Sequence, residues 1–362
     1  MGAKKAAPVR GGNQEEVKMK KTVFVGTLTV AALVAGFASA ASHGGSVLDQ
    51  VKARGELNCG VSTGVNGFSA PDAAGEWQGF DVAICRAVAA AVLGDSKKVK
   101  FVSTTGQTRF SALASGEIDI LARNTTWTFS RDVDLKFTFA GVNYYDGQGF
   151  MVNKALGVSS AKELDGATVC IQTGTTTELN LADYFKANNM SYEPVPIETN
   201  AEAQQQYLAG ACDVYTTDAS GLAATRATFA DPENHVVLPE IISKEPLGPL
   251  VAQGDEQWAD VARWTLNALV AAEELGVTSA NIEELAKGTS NPEINRLLGS
   301  GDDNLGAMLG LDKDWAKRAI MAGGNYGEIF ATNIGESTPI GLARGLNALW
   351  TQGGLQYAPP FR

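Results

Sequence analysis

The apolar positions of this chain change period repeatedly, and the changes mark out strands alternating with helices. Residues 56–61 (ELNCGV) predict a first strand, followed by a Gly-rich loop through Phe68. From Gly79-Phe80-Asp81 onward, Val82, Ile84, Cys85, Val88, Ala89 and Val92 recur at the spacing of one helix face. Residues 99–103 predict a second strand, Phe110, Leu113 and Ala114 a short helix, and residues 118–121 a third strand. The alternation resumes downstream, with strands at 168–171, 192–196, 213–217 and 236–238. Helices are predicted between them, one running from the 173–178 loop to about Asn188, the others at 201–208 and 220–227; residues 161–166 read as a helical turn. Strand–helix alternation of this kind predicts α/β architecture with parallel, doubly wound sheets. Residues 143–152 and 248–251 read as extended crossings, out of one half and back again. A long amphipathic helix is predicted at 258–274, with tail helices around 282–285, 312–321 and 342–349 joined by Gly/Asn/Asp-rich turns.

Composition sets the scale. The chain has 362 residues, 44% hydrophobic and 19% charged, enough for two domains of ordinary size. Its net charge is −11, and the first 40 residues carry six basic and two acidic side chains, which leaves −15 for the remainder. An acidic body argues against nucleic acid or an anionic membrane as partner. From Met19, a better start than Met1, the chain reads MKKTVFVGTLTVAALVAGFASA. Two lysines, an apolar run too short for a comfortable span and Ala38-Ser39-Ala40 together predict a secretory signal peptide over residues 19–40, cleaved near Ala40. Export places Cys59, Cys85, Cys170 and Cys212 in an oxidising compartment. Four cysteines allow three pairings; Cys59–Cys85 and Cys170–Cys212 are expected, because each joins elements of one half and leaves the halves free to move. With no CxxC pair and only His43 and His235, neither a metal site nor a cofactor is expected.

The candidate chemistry gathers at the C-terminal ends of predicted strands, where open α/β sheets bind small ligands. After the strand at 118–121 come Arg123, Asn124, Thr125 and Thr126, then Arg131. An arginine clamps a carboxylate through two parallel hydrogen bonds. The loop Thr173-Gly174-Thr175-Thr176-Thr177-Glu178 opens a helix, whose free N–H groups either seat an anion or are capped by those threonines. Asp218 ends the strand at 213–217 and either holds an ammonium or caps the next helix. An α-amino acid is a zwitterion, so its site needs a cation and an anion in fixed opposition.

In order and spacing these segments resemble the periplasmic amino-acid-binding proteins of ATP-driven uptake systems, and within them the general L-amino-acid binders. The resemblance covers nearly the whole mature chain. It is carried by Gly79-Phe80-Asp81-Val82, Ser115-Gly116-Glu117-Ile118-Asp119, Arg123-Asn124-Thr125-Thr126 with Arg131, Leu164-Asp165-Gly166, Gly174-Thr175-Thr176 and Gly210 to Asp218. It implies a type II binding-protein fold with a two-strand hinge. The first domain is discontinuous, residues 46–147 and 248–362 with a C-terminal helical extension; the second is 148–247. Family roles imply that Arg131 holds the ligand's α-carboxylate, aided by Thr126 and Thr176. Asp218 takes the α-ammonium, Asn124 adds a hydrogen bond, and Arg109 reaches the ligand side chain. Relatives cover the ligand with a tyrosine where Val65 stands here, near Phe68, and select side chains through an acid or an arginine where Ser62 stands. Their loss implies broad specificity for polar L-amino acids. The expected partners are such a ligand and the permease of an ABC transporter, in the periplasm, with the chain a monomer. An enzyme of the same fold, such as a prearomatic amino acid dehydratase, or a sensor domain is the alternative. Against the enzyme, the candidate set holds no histidine, cysteine or lysine, and no carboxylate of raised pKa can be assigned as a base.

Overall fold

The computed structural model describes residues 45–362, so the expected signal peptide lies outside the described residues. In chain order, α1 (Val47–Arg54) leads into β1 (Leu57–Val61) and a small hairpin, β2 (Ala70–Pro71) with β3 (Trp77–Gln78). Then come α2 (Phe80–Leu93), β4 (Val99–Ser103), α3 (Arg109–Ala114), β5 (Ile120–Leu121) and β6 (Phe137–Phe139). The chain leaves through β7 (Tyr144–Asp146) and continues as β8 (Gln148–Asn153), β9 (Ala167–Gln172), α4 (Thr176–Ala187), β10 (Tyr192–Ile197), α5 (Asn200–Leu208), β11 (Val214–Asp218), α6 (Ala219–Arg226) and β12 (His235–Val237). It returns through β13 (Glu245–Leu247) to β14 (Leu250–Ala252) and α7 (Glu256–Glu274). The tail adds α8 (Ile282–Leu285), α9 (Pro292–Leu298), α10 (Leu305–Met308), α11 (Trp315–Met321) and α12 (Tyr326–Asn333).

Two five-stranded sheets result, ordered β4-β1-β5-β14-β6 and β10-β9-β11-β8-β12, joined by a ribbon of β7 and β13. Each is mixed, which corrects the expectation of purely parallel sheets. Three parallel strands form the heart of each sheet (β4, β1, β5 and β10, β9, β11). Next to them lies one strand that has just crossed from the other half and therefore runs the opposite way, β14 beside β5 and β8 beside β11. The first sheet with its helices forms one lobe, the second sheet with its own the other.

The tail is part of the first lobe's core. Trp315, Ile320, Tyr326, Phe330 and Phe361 bury themselves in the same cluster as Phe80, Val88, Trp258 and Leu269. Trp258 is 1% exposed, and its indole N–H donates to Asp119 O at 2.8 Å, so the one polar atom of that ring is satisfied. The helix expected at 342–349 is absent: Gly341 (φ 69°) and Gly345 (φ 47°) both sit in the left-handed region, which no α-helix can include, and only a 3₁₀ turn at Gly345–Asn347 forms.

Both expected disulfides are present. Cys59 on β1 bonds Cys85 on α2, and Cys170 on β9 bonds Cys212 just before β11. Each bridge stays within one lobe, over sequence separations of 26 and 42 residues. Loops of that size reduce unfolded-chain entropy enough to stabilise by about 3–4 kcal/mol each. The Cys170→Ser/Cys212→Ser variant is expected to unfold at a clearly lower urea midpoint. An unchanged midpoint, or a cross-lobe bridge in non-reducing peptide mapping, would reject this role.

Candidate functional site

The strand ends of both sheets converge on one cavity between the lobes. The first lobe supplies Ser62 and Val65 after β1, Arg109 from α3, and Arg123, Asn124 and Thr126 after β5. The second supplies Gln172, Thr175, Thr176 and Thr177 around the start of α4, Asn200 on α5, and Thr217, Asp218, Ser220 and Gly221 where β11 meets α6. The lobes also touch directly: Arg109 Nη2 donates to Gly174 O at 3.2 Å, and Asn200 Nδ2 to Gly64 O at 3.3 Å.

Three guanidiniums are packed into the first-lobe side. Arg109, Arg123 and Arg131 are 2%, 5% and 6% exposed, and among the described residues none forms an ion pair. Backbone carbonyls and an aromatic face hold them instead. Arg123 Nε donates to Thr104 O at 3.0 Å and Arg131 Nη1 to Thr126 O at 2.8 Å. The Phe110 ring lies 4.7 Å from Arg109 Cζ and 5.2 Å from Arg131 Cζ, a cation–π cradle for both. Among the described residues both Arg123 Nη groups, and Nε and Nη2 of Arg131, have no acceptor. Arg109 Nε is buried and unpartnered. Burial holds all three below the usual arginine range, and Arg131 pushes Arg123 down further, as both pushes Arg109; Arg123 and Arg131 come down to about 10 and remain charged at neutral pH.

Opposite stands Asp218. It occupies the N-cap position of α6, yet its side chain makes no capping hydrogen bond, so of the two roles open to it the cap is not used. Burial raises its carboxyl well above the ordinary range, and the charges of Asp146 and Glu245 raise it further, against the pull of Arg109 and Arg131. Here is the carboxylate of raised pKa that sequence alone could not assign.

The model of the bacterial extracellular solute-binding proteins, family 3, matches residues 57–281. The chain belongs to that family. It is 68% identical over 344 residues to the glutamate/glutamine/aspartate/asparagine-binding protein BztA of Rhodobacter capsulatus, covering 95% of this chain and 100% of that one. To the general L-amino acid-binding periplasmic protein AapJ of Rhizobium johnstonii it is 57% identical over 345 residues, again 95% and 100% of the two chains. An ABC transporter periplasmic binding protein from Brucella ovis, solved with glutathione bound, is 57% identical and superposes with a TM-score of 0.85 over 88% of this chain and 100% of its own. All three relatives are binding proteins, and the Brucella one is a binding protein of an ABC transporter. Among the described residues no helix is long and apolar enough to cross a membrane.

In this solute-binding protein the expected site residues divide. Arg109, Asn124, Thr126, Thr176, Asp218 and Val65 line the cavity. Arg131 does not line it directly: a five-residue π-helical turn, Ser130–Asp134, carries it, and its Nη1 donates to Thr126 O of the wall, leaving Nε and Nη2, unpartnered among the described residues, beside the cavity. Phe68 does not either. Val65 pairs with Ser69 across a tight turn, and Phe68 falls into the core at 0% exposure, edge-on to Phe80 at 6.1 Å and Tyr144 at 5.6 Å. Asn124 holds φ at 43°, fixed by its N–H donating to Asp81 Oδ2 at 3.2 Å, and leaves its Oδ1 buried without a partner.

Two residues carry more than expected. Arg123, quoted only as part of a motif, is on the wall. Glu245, 1% exposed at the start of β13, accepts hydrogen bonds from Thr126 Oγ1 (2.5 Å), Thr176 Oγ1 (3.0 Å), Asn180 Nδ2 (2.6 Å) and Ser243 Oγ (2.6 Å). A hydroxyl has a single proton to donate, and Thr126 Oγ1 and Thr176 Oγ1 also lie 3.2 Å apart, so the two threonines expected to serve a ligand carboxylate share their protons with each other and with Glu245. Its only mark in the sequence is an acid just before the crossing expected at 248–251.

Asp146, the last residue of β7 in the ribbon, accepts from Gly147 N at 2.8 Å, yet burial raises its carboxyl from 3.8 to about 6. The folded chain thus keeps protons that the unfolded chain releases near pH 4. Where the folded state binds more protons, stability falls as pH rises, here through the window from about 4 to 6. Asp146→Asn keeps the shape and one acceptor but cannot ionise. It is expected to raise the urea midpoint at pH 7 and to leave it nearly unchanged at pH 4; equal effects at both pH values would reject the assignment.

Proposed function

We propose that this chain is a periplasmic protein that captures polar L-amino acids between its lobes and delivers them to the membrane permease of an ABC transporter. One observation carries the reading. Buried guanidiniums from the first lobe and the Asp218 carboxyl from the second face one cavity without pairing to each other. Burying a charge is costly unless a partner compensates it. A zwitterion brings both counter-charges at once, and the ligands named for BztA and AapJ are of that kind.

On this reading Arg131 and Arg123 hold the α-carboxylate through the N–H groups that lack a protein acceptor. Thr126 and Thr176 wall that end, Asp218 takes the α-ammonium, Asn124 adds a hydrogen bond, and Val65 covers the ligand. Arg109, on the wall, favours acidic and amide side chains. The lobes are residues 46–147 with 248–362, and 148–247, hinged at the β7/β13 ribbon. Residues 19–40 are removed on export, and the mature protein works as a monomer in the periplasm. No residue is assigned a catalytic role: the cavity wall carries no histidine, cysteine or lysine among the described residues. The raised carboxyl of Asp218 is what a dehydratase would use as a base, and turnover of the bound molecule separates the two.

Mass spectrometry of small molecules released from freshly purified, denatured protein is expected to find an amino acid; a converted product instead would favour the enzyme. Removing one partner of a buried, hydrogen-bonded charge pair costs about 2–5 kcal/mol. Arg131→Ala and Asp218→Ala are therefore each expected to weaken binding about 30-fold or more in calorimetry, and to abolish ligand-induced compaction in small-angle scattering. Tight binding by Asp218→Ala would sink the clamp.

Arg109→Ala is expected to weaken glutamate far more than alanine or serine. Equal losses for all ligands would make Arg109 structural.

A further inference from the structure

The tail beyond Leu275 contributes nothing to the cavity wall, yet four of its side-chain hydrogen bonds end on one stretch of backbone where the chain leaves the first lobe. Tyr326 Oη donates to Asn143 O at 2.8 Å, and Gln356 Nε2 to Val142 O at 3.4 Å. Asn347 makes the other two, accepting from Tyr145 N at 2.7 Å through Oδ1 and donating to Tyr145 O at 3.1 Å through Nδ2. Asn347 is 3% exposed.

The pattern follows from the ribbon. Tyr145 stands opposite Pro246, and both turn their backbone polar groups outward. Proline has no N–H to place, and its carbonyl accepts from Trp127 N at 2.8 Å on the far edge. On the near edge, the N–H and C=O of Tyr145 need one acceptor and one donor at strand spacing. A primary amide carries both, so the side chain of Asn347 stands in for a third strand. The ribbon is thereby laced to the first lobe along both edges up to Tyr145, and the next residues are held by the second lobe, Asp146 Oδ2 accepting from Ser220 N at 3.3 Å and Gly147 O from Ala219 N at 2.8 Å. At Gly147 any side chain would collide, since a Cβ would lie 2.2 Å from Ile241 Cγ2.

We propose that Asn347 is a positioning residue for ligand binding: it braces β7 against the first lobe, so that the lobes pivot just past Tyr145, where the ribbon's bonds pass to the second lobe, and the ligand-free lobes open less far than they would without it. This rests on the reading that the lobes close on a ligand. Apparent affinity scales with the fraction of molecules already competent to bind.

The test compares wild type with Asn347→Ala and with Asn347→Asp, which keeps the acceptor for Tyr145 N and loses the donor. Without ligand, small-angle scattering is expected to give a larger radius of gyration for Asn347→Ala, with faster hydrogen exchange at the Tyr145 amide and Asn347→Asp in between. With glutamate the three radii coincide, and the dissociation constant of Asn347→Ala rises about three- to tenfold. Ligand-free scattering identical to wild type in both variants, even with a lowered melting temperature, overturns the brace and leaves Asn347 a core residue. Should Asn347→Ala not fold, Asn347→Asp alone decides by the same measurement. If wild type binds no amino acid, the proposed function fails, while the ligand-free comparison still decides the brace.

Discussion

Three guanidiniums buried side by side repel one another, and everything around the cavity is arranged to tolerate that. Arg109, Arg123 and Arg131 have given up water without gaining an ion pair among the described residues, and they depend on carbonyls, on the face of Phe110 and on the more distant charges of Asp218 and Glu245. Such an arrangement is unfavourable for folding by itself. It persists because the lobe beneath it is over-determined: a disulfide from β1 to α2, Trp258 pinned to Asp119, and a single core that takes in the tail. Stability built there offsets the strained electrostatics of the site.

The second lobe repeats the logic with opposite sign. Asp218 is raised by burial and by its acidic neighbours, and Asp146, one residue past Tyr145 in the ribbon, is raised as well. Glu245 links the two halves of this field. Its carboxylate binds the hydroxyl of Thr126 from the first lobe and that of Thr176 from the second, so the lobes already share one anion that belongs to the chain. A solute entering the cavity meets a network in which some of the donors are engaged and the uncapped ones are guanidinium N–H groups.

Much of this was legible in the sequence wherever a local pattern carries it. Strand ends followed by polar loops located the cavity, because in an α/β sheet the strand's end is also the ligand's edge. The cysteines could be paired from which elements would pack together, and both bridges formed as expected. What escaped depends on details one residue wide. A π-helical turn rather than a plain loop carries Arg131, and a tight turn at Val65–Ser69 sends Phe68 inward while Val65 faces the cavity. Glu245 and Asn347 were invisible for another reason: their partners lie far away in the chain, Tyr145 being 202 residues from Asn347, and a side-chain amide or carboxylate announces no partner by its spacing.

The strand exchange between the two sheets bears on the order in which the molecule is built. β5 and β6 are separated by a gap that only β14 fills, and β14 arrives after the entire second lobe has been passed. The helices that complete the first core, from α7 to α12, come later still. The second sheet draws all its strands from one continuous stretch, so it can assemble alone. The lobe that begins first therefore finishes last, and until it does, its open sheet edge and apolar face await residues from the far end of the chain. Contacts of such sequence separation form slowly, and the half-built lobe is the species most exposed to aggregation and proteolysis.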